Sequence, residues 1–321
     1  MNLTVDVVIP TYYPGERLLR ILEMLKAQTV QPRCVRILNT EQAGLTSLLN
    51  AKGLSEAELL ARFPFLTLEH LAAEEFDHGG TRNRGFLACG GADYVLTMTQ
   101  DALPGDETLI EQLLAAFRQD GDGIIAVSYA RQIPNENASL EEKLSRSFNY
   151  PETSRVKSLA DLPELGVKTY FCSNVCALYR MEIWHLLGGF PERAIFNEDT
   201  IYAAKALQAG YRTAYAARAW VYHSHSYTAS QQFHRNFDLG VSQAQNPEVY
   251  GNVRSESEGI RYVKAVIEQM CRERQAHCIP GFLWRSAFRL AGYRLGKAYQ
   301  RLPRSLVIRC SSNRNYWGES R

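Results

Sequence analysis

The chain has no uninterrupted apolar stretch approaching the ~20 residues that cross a bilayer, and its first apolar run contains Asp6 with no basic residue before it. A spanning helix and a secretory leader are therefore not expected, and the protein is expected in the cytoplasm. Cysteine is sparse in a telling way: seven residues, an odd number at irregular spacing, suit reduced thiols rather than a disulfide framework. Cys172 and Cys176 form the one close pair, and without further Cys or His at ligand spacing they read as structural. There is no P-loop, no G-x-G-x-x-G, no internal repeat and no low-complexity segment. The net charge of +2 is uninformative by itself, and nucleic acid is not an expected partner. Acids are scarce in the tail, where from Arg254 onward the basic residues Arg261 to Arg321 are opposed only by Glu256, Glu258, Glu268, Glu273 and Glu319.

What is present is ordinary globular material: 321 residues, 45% hydrophobic and 22% charged, enough for one large domain plus an appendage or for two modest domains. Val5 to Pro10, Cys34 to Asn39, Phe65 to Glu69, the run ending at Asp101, and Ile124 to Ser128 read as buried strands. Helical segments at Glu16 to Gln28, Ala43 to Leu49, Glu56 to Arg62, Thr81 to Cys89 and Glu107 to Phe117 separate them, an alternation that predicts a parallel sheet covered on both faces. Residues 131 to 170 break the alternation and read as a lid or binding loop with one helix, Leu140 to Phe148. The pattern resumes with a strand at Val175 to Tyr179, helices at Met181 to Leu187 and Glu198 to Ala209, and short strands within Thr213 to Tyr222. Beyond Tyr227 the spacing predicts helices near Gln231 to Ser242, Gly259 to Arg274 and Gly281 to Arg301.

Four places could carry chemistry. Asp101 follows the buried run Y-V-L-T-M, at the strand end where open α/β sheets bind ligands, and is either a metal or sugar ligand or the cap of the next helix. Glu198 and Asp199 follow Asn197, a good N-cap, and the helix dipole alone explains acids there. In F-D-H-G-G-T-R-N-R-G, residues 76 to 85, glycines at a helix start with Arg82 and Arg84 suit a diphosphate, or else form a cap with solvated arginines. His223 and His225 leave a strand end on one side, as metal ligands or as hydrogen-bonded residues.

The order V-V-I-P-T-Y, G-T-R-N-R-G, M-T-Q-D-A, G-G-F-P-E, N-E-D and a strand-end His resembles family-two inverting glycosyltransferases over about residues 4 to 228, in particular the bacterial rhamnosyltransferase-like branch. The resemblance implies a nucleotide-sugar-binding α/β domain of GT-A type, Rossmann-like with a mixed central sheet, at 1–228, followed by a basic helical C-terminal extension at 229–321. It implies that Pro10, Thr11 and Tyr12, with Thr40, Gly80, Arg82, Arg84 and Gln100, contact the donor nucleotide and diphosphate. Asp101 would hold a divalent Mg or Mn ion, completed by His223 or His225. Asp199, beside Glu198, would be the general base. The sequence departs from the family pattern in two places: Thr99 stands where the first acid of D-x-D is usual, and Leu38-Asn39-Thr40-Glu41 lacks the usual acid after the second strand.

The function so implied is inverting transfer of a sugar, with dTDP-rhamnose the leading donor, to a lipid-linked or cell-surface glycan. Nucleotidyl transfer also needs a strand-end acid and metal, but Tyr12-Tyr13-Pro14-Gly15-Glu16 offers no base before Arg17. Thr99 keeps open a degenerate scaffold that binds the sugar nucleotide without turning it over. The tail interleaves Phe282, Trp284, Phe288 and Leu295 with Arg285, Arg289, Arg294 and Lys297, which suits either an anionic membrane interface or ordinary packing. With a lipid-linked acceptor, the enzyme is expected to be peripheral on the cytoplasmic face of the plasma membrane.

Overall fold

A computed structural model describes residues 3–118, 121, 123–225, 227–251 and 255–318. The first half alternates as the sequence predicts: β1 (Val5–Tyr12), α1 (Arg17–Lys26), β2 (Cys34–Thr40), α2 (Gln42–Ala51), α3 (Glu56–Arg62), β3 (Leu66–Leu71), α4 (His78–Ala88), β4 (Tyr94–Met98), β5 (Leu103–Pro104), α5 (Leu109–Arg118) and β6 (Ile125–Ile133). Alternate residues of one strand serve opposite cores. Val7 and Ile9 pack with Leu18, Leu22 and Leu113 on one face, while Val8 packs with Phe86, Tyr179 and Trp184 on the other. That division explains why the strands read as continuous apolar runs.

The second half holds α6 (Leu140–Asn149), β7 (Arg155–Lys157), α7 (Leu162–Leu165), β8 (Cys176–Arg180), α8 (Met181–Leu186), α9 (Glu198–Gln208) and β9 (Arg212–Tyr222). The sheet runs β3-β2-β1-β4-β8-β6-β9-β5, with β7 on β9. Its first four strands are parallel, but β8 lies antiparallel between β4 and β6. The sheet is therefore mixed, which corrects the parallel sheet predicted from the alternation. The break follows from the insertion: β6 runs on to Ile133, and the chain returns through residues 134–175 to enter β8 from the opposite end. The short strands expected at 213–222 are one strand of 11 residues whose register shifts against β6 between Ala130 and Arg131.

The tail consists of α10 (Ala229–Gln245), α11 (Pro247–Tyr250), α12 (Ser255–Arg272), α13 (Ile279–Lys297) and α14 (Arg304–Cys310). α10 and α13 approach until their backbones touch. A Cβ at Gly292 would lie 2.2 Å from the Phe233 carbonyl oxygen, and one at Gly296 2.0 Å from that of Phe237. Arg285 and Arg289 do not face outward: they hold the two carboxylate oxygens of buried Glu141 at 2.5 and 2.7 Å, pinning α13 to α6. For those two arginines, ordinary packing replaces the expected membrane contact. No helix among the described residues is long and apolar enough to cross a membrane, and all seven cysteines are free thiols.

Candidate active site

Asp101 sits three residues beyond β4. A turn closed by the Ala102 N–H on the Thr99 carbonyl lifts it clear before Leu103–Pro104 pair with β9. Proline is tolerated there because β5 is an edge strand. The same pairing brings the end of β9 alongside, so His225 Nε2 lies 3.2 Å and His223 Nε2 3.5 Å from Asp101 Oδ2. One ligand atom from each residue fits within 4.8 Å of the others. Atoms on one face of a six-coordinate ion are roughly 3 Å apart at ordinary bond lengths, so this trio would draw slightly together to share a divalent cation, with the opposite face left for other ligands. Burial lowers the pKa of both imidazoles, His225 to about 4, which leaves them neutral at pH 7. Burial works against ionisation of Asp101, but its histidine contacts outweigh that and hold it well below the usual carboxylate range.

Gln132 on β6 orients this group. Its Oε1 accepts from His223 Nδ1 at 2.9 Å and from Arg146, and its Nε2 donates to Tyr150 Oη (2.5 Å) and Ser173 Oγ (2.9 Å). With its proton on Nδ1, donated to this amide oxygen, His223 would present its Nε2 lone pair to a cation; without a cation, an Nε2–H donated to Asp101 is the contact that lowers the carboxylate pKa. Sequence reasoning missed Gln132 and Arg146. Neither belongs to a motif: the β6–β9 pairing brings Gln132 to His223, and α6 brings Arg146 to both.

Asp199 lies across the same cavity of about 950 Å³, lined also by Arg82, Asp101, Glu198, His223 and His225. Asn197 does not cap α9 through its side chain; its backbone is left-handed, with φ 63°. Asp199 Oδ2 accepts the Asn174 N–H at 2.8 Å and Oδ1 the Thr200 N–H at 2.7 Å. The Asn174 amide also donates to Glu198 Oε1 at 3.0 Å and is held by the Tyr179 hydroxyl at 2.7 Å. Those hydrogen bonds alone would depress the Asp199 pKa. Burial and the neighbouring Glu198 charge win, pushing it up to about 7. For Glu198, burial pulls the pKa upward, but Arg82 foremost and then His78 overcome it, so Glu198 stays ionised while Asp199 titrates near neutrality.

The glycine-rich segment differs from a diphosphate cradle. The N–H groups of Gly79 and Gly80 both donate to Asp77 Oδ1, so the start of α4 is closed by its own carboxylate. Gly79 is small for a packing reason, since a Cβ there would lie 1.9 Å from the Pro191 carbonyl oxygen. Arg84 pairs with Glu69 and Glu75, and Arg82 pairs with Glu198 at 3.1 Å. The Asn83 amide clasps Phe190 through both backbone groups at 2.9 Å, tying this segment to G-G-F-P-E.

The remaining predicted donor residues stand at the ends of β1 and β2 and, for Gln100, in the turn after β4, outside the cavity lining. Thr11 Oγ1 donates to Asn39 Oδ1 at 2.8 Å, so Asn39 occupies the β2 end where the family usually has an acid. Pro10 and Thr40 flank that pair in register with Leu38 and Tyr12. Gln100 braces Tyr12, accepting its N–H at 2.8 Å and donating to its carbonyl at 2.9 Å. The Tyr12 and Tyr13 rings, 4.8 Å apart, are exposed, and Tyr13 holds a strained φ of 45°.

Residues 6–187 match glycosyl transferase family 2. The chain belongs to that family. This glycosyltransferase is 35% identical over 314 residues to the O-antigen chain rhamnosyltransferase RfbN of Salmonella typhimurium strain LT2, covering 98% of this chain and 96% of the relative. It is 39% identical over 248 residues to the O-antigen chain rhamnosyltransferase WbaN of Salmonella anatum, covering 77% and 78%. Its fold resembles the mannosyltransferase PcManGT from Pyrobaculum calidifontis, in complex with GDP-Man and Mn2+, with TM-score 0.60 at 15% identity over 92% of this chain and 87% of that one. The S. aureus TarS 1-349 crystal structure is similar with TM-score 0.51 at 15% identity over 93% and 91%. The glycosyltransferase thus has the GT-A-like mixed sheet that its motif order implied, and nucleotidyl transfer is set aside.

Proposed function

We propose that this glycosyltransferase moves L-rhamnose from dTDP-rhamnose to a lipid-linked O-antigen glycan, with inversion, at the cytoplasmic face of the membrane. The donor and acceptor classes are suggested by the two Salmonella relatives, which cover most or all of the chain. The observation that carries the chemistry is one cavity walled by a carboxylate with a raised pKa, Asp199, and by the cation-ready trio Asp101, His223 and His225. Asp199 takes the proton of the acceptor hydroxyl as its oxygen bonds to the anomeric carbon, and the carbon–oxygen bond to the diphosphate breaks with its electron pair on the nucleotide. Asp101, His223 and His225 would hold a divalent ion, which would supply positive charge for the leaving diphosphate. Two imidazoles in three ligands favour Mn²⁺ over Mg²⁺. The histidines also supply what Thr99 cannot, which weakens the degenerate-scaffold reading. Tyr12 and Tyr13 offer ring faces for the base, positioned by Gln100 and by the Thr11–Asn39 pair.

The test is to incubate the enzyme with dTDP-rhamnose, Mn²⁺ and an O-antigen acceptor lipid, and to assign the anomeric configuration of the product. Inverted product that is lost in Asp199→Asn, with donor affinity retained, is expected. Full activity in that variant would remove Asp199 as the base.

A further inference from the structure

The orientation of α13 is set on two sides. Phe282, Gly292, Tyr293 and Gly296 are buried, the last three along the contact with α10, while Arg285 and Arg289 grip Glu141. What remains outward is a stripe at helical spacing: Leu283 and Trp284, Ala287, Leu290 and Ala291, then Leu295. Trp284 is 63% exposed, and Leu283 and Leu290 nearly half. From Leu283 to Leu295 the stripe runs about 18 Å along the helix axis, longer than the scattered exposed apolar residues of an ordinary surface.

We infer that the outward face of α13 is the surface by which this enzyme lies on an anionic bilayer, with Leu283, Trp284, Leu290 and Leu295 entering the headgroup region. The charge pattern names the occupant. No Asp or Glu occurs between Glu273 and Glu319, while Arg294, Lys297, Arg301 and Arg304 are exposed in and beyond the last turns of α13. A second copy docked face to face would set arginine against arginine with no carboxylate in either α13 to compensate. An anionic lipid surface meets both halves of the pattern, with aliphatic and tryptophan side chains in the interface and cations beside the phosphates. Arg285 and Arg289 are not part of this contact, since their guanidinium groups are bound to Glu141.

The inference rests on the proposed membrane location, and the experiment separates the two. The full chain is co-sedimented with phosphatidylcholine vesicles and with vesicles containing phosphatidylglycerol, beside Leu283→Ser/Trp284→Ser and Arg294→Glu/Arg301→Glu variants whose folding is checked by thermal melting. Wild type is expected on the anionic vesicles, and less so as salt rises. The apolar variant should lower the bound fraction at least about tenfold, and the charge variant about fivefold or more. Both should keep wild-type turnover of donor with a water-soluble acceptor. Wild-type-like vesicle binding by both variants would overturn the face while leaving the membrane location standing. Absence of wild-type binding at low salt would overturn both, and leave rhamnosyl transfer to be judged by the soluble assay. Conversion of a dimer to a monomer by the apolar variant without vesicles would assign the face to a second copy and overturn the inference.

Discussion

Arg82 Nη1 lies 3.1 Å from Glu198 Oε1, with both side chains only 7% exposed, and both charges act on the neighbouring carboxylate of Asp199. A buried pair of this kind is costly to break because the survivor remains charged without a partner. Arg82→Met is therefore expected to destabilise the fold by about 3 to 5 kcal/mol, read as a lower urea midpoint. If Arg82 instead served mainly the donor diphosphate, the variant would keep its midpoint and lose donor affinity.

Asp199 must be ionised to accept a proton, so transfer should fall as pH drops through about 7. After burial, the largest cause of its raised pKa is the Glu198 charge. Glu198→Gln should therefore move the acid limb of the rate profile to lower pH. An unmoved limb would show that Glu198 does not tune the base.

The same group leaves a mark on stability. Its folded pKa is raised, so the folded state binds the Asp199 proton more tightly than the unfolded chain does. The contribution is fully present below the ordinary carboxylate range and is lost as pH climbs to about 7. Asp199→Asn should flatten that fall in denaturant titrations across the interval, and an unchanged slope would count against the raised pKa.

Asp101→Ala should weaken donor binding at least about tenfold in Mn²⁺ and little in chelator. Wild type should bind donor more tightly with Mn²⁺ than with Mg²⁺. Calorimetry distinguishes these outcomes, and equal affinities for wild type and variant with Mn²⁺ present would reject a ligand role.

Gly296→Ala gains helix propensity of about 1 kcal/mol, but its Cβ would meet the Phe237 carbonyl oxygen at 2.0 Å. A rigid backbone atom cannot yield as a side chain does, so net destabilisation of about 1 to 3 kcal/mol is expected. Gly281→Ala, where the nearest neighbour is the Arg285 guanidinium at an ordinary contact distance of 3.5 Å, should be neutral or stabilising. Thermal melts of the two variants make the comparison.

The strands before residue 128 were legible because burial on both faces writes a continuous apolar run, and Asp101 was legible because that run stops. Asp199 and the two histidines came from the order of motifs, since each alone has a sufficient structural explanation. Arg82 was read toward a ligand because an arginine near the start of a glycine-rich helix looks the same whether it meets a phosphate or Glu198. Gln132, Arg146 and Asn174 left no trace: two belong to the strand end and helix of the inserted segment and the third to its return, where no periodicity marks which side chains converge. The antiparallel entry of β8 was hidden for the same reason, because strand direction depends on how the insertion folds back.

The cavity is not closed by the motif-bearing residues alone. Arg235, Leu239 and Gln243 of α10 and Tyr250 of α11 form part of its wall, and Ser242 Oγ donates to the Phe196 carbonyl at 2.8 Å, immediately before Asn197, Glu198 and Asp199. A chain cut at residue 228 would keep every recognisable signature and still lose one side of its reaction vessel. It would also open the cavity that holds Asp199 to water, which on the proposed mechanism would compete for the sugar and draw the Asp199 pKa back toward that of an ordinary carboxylate.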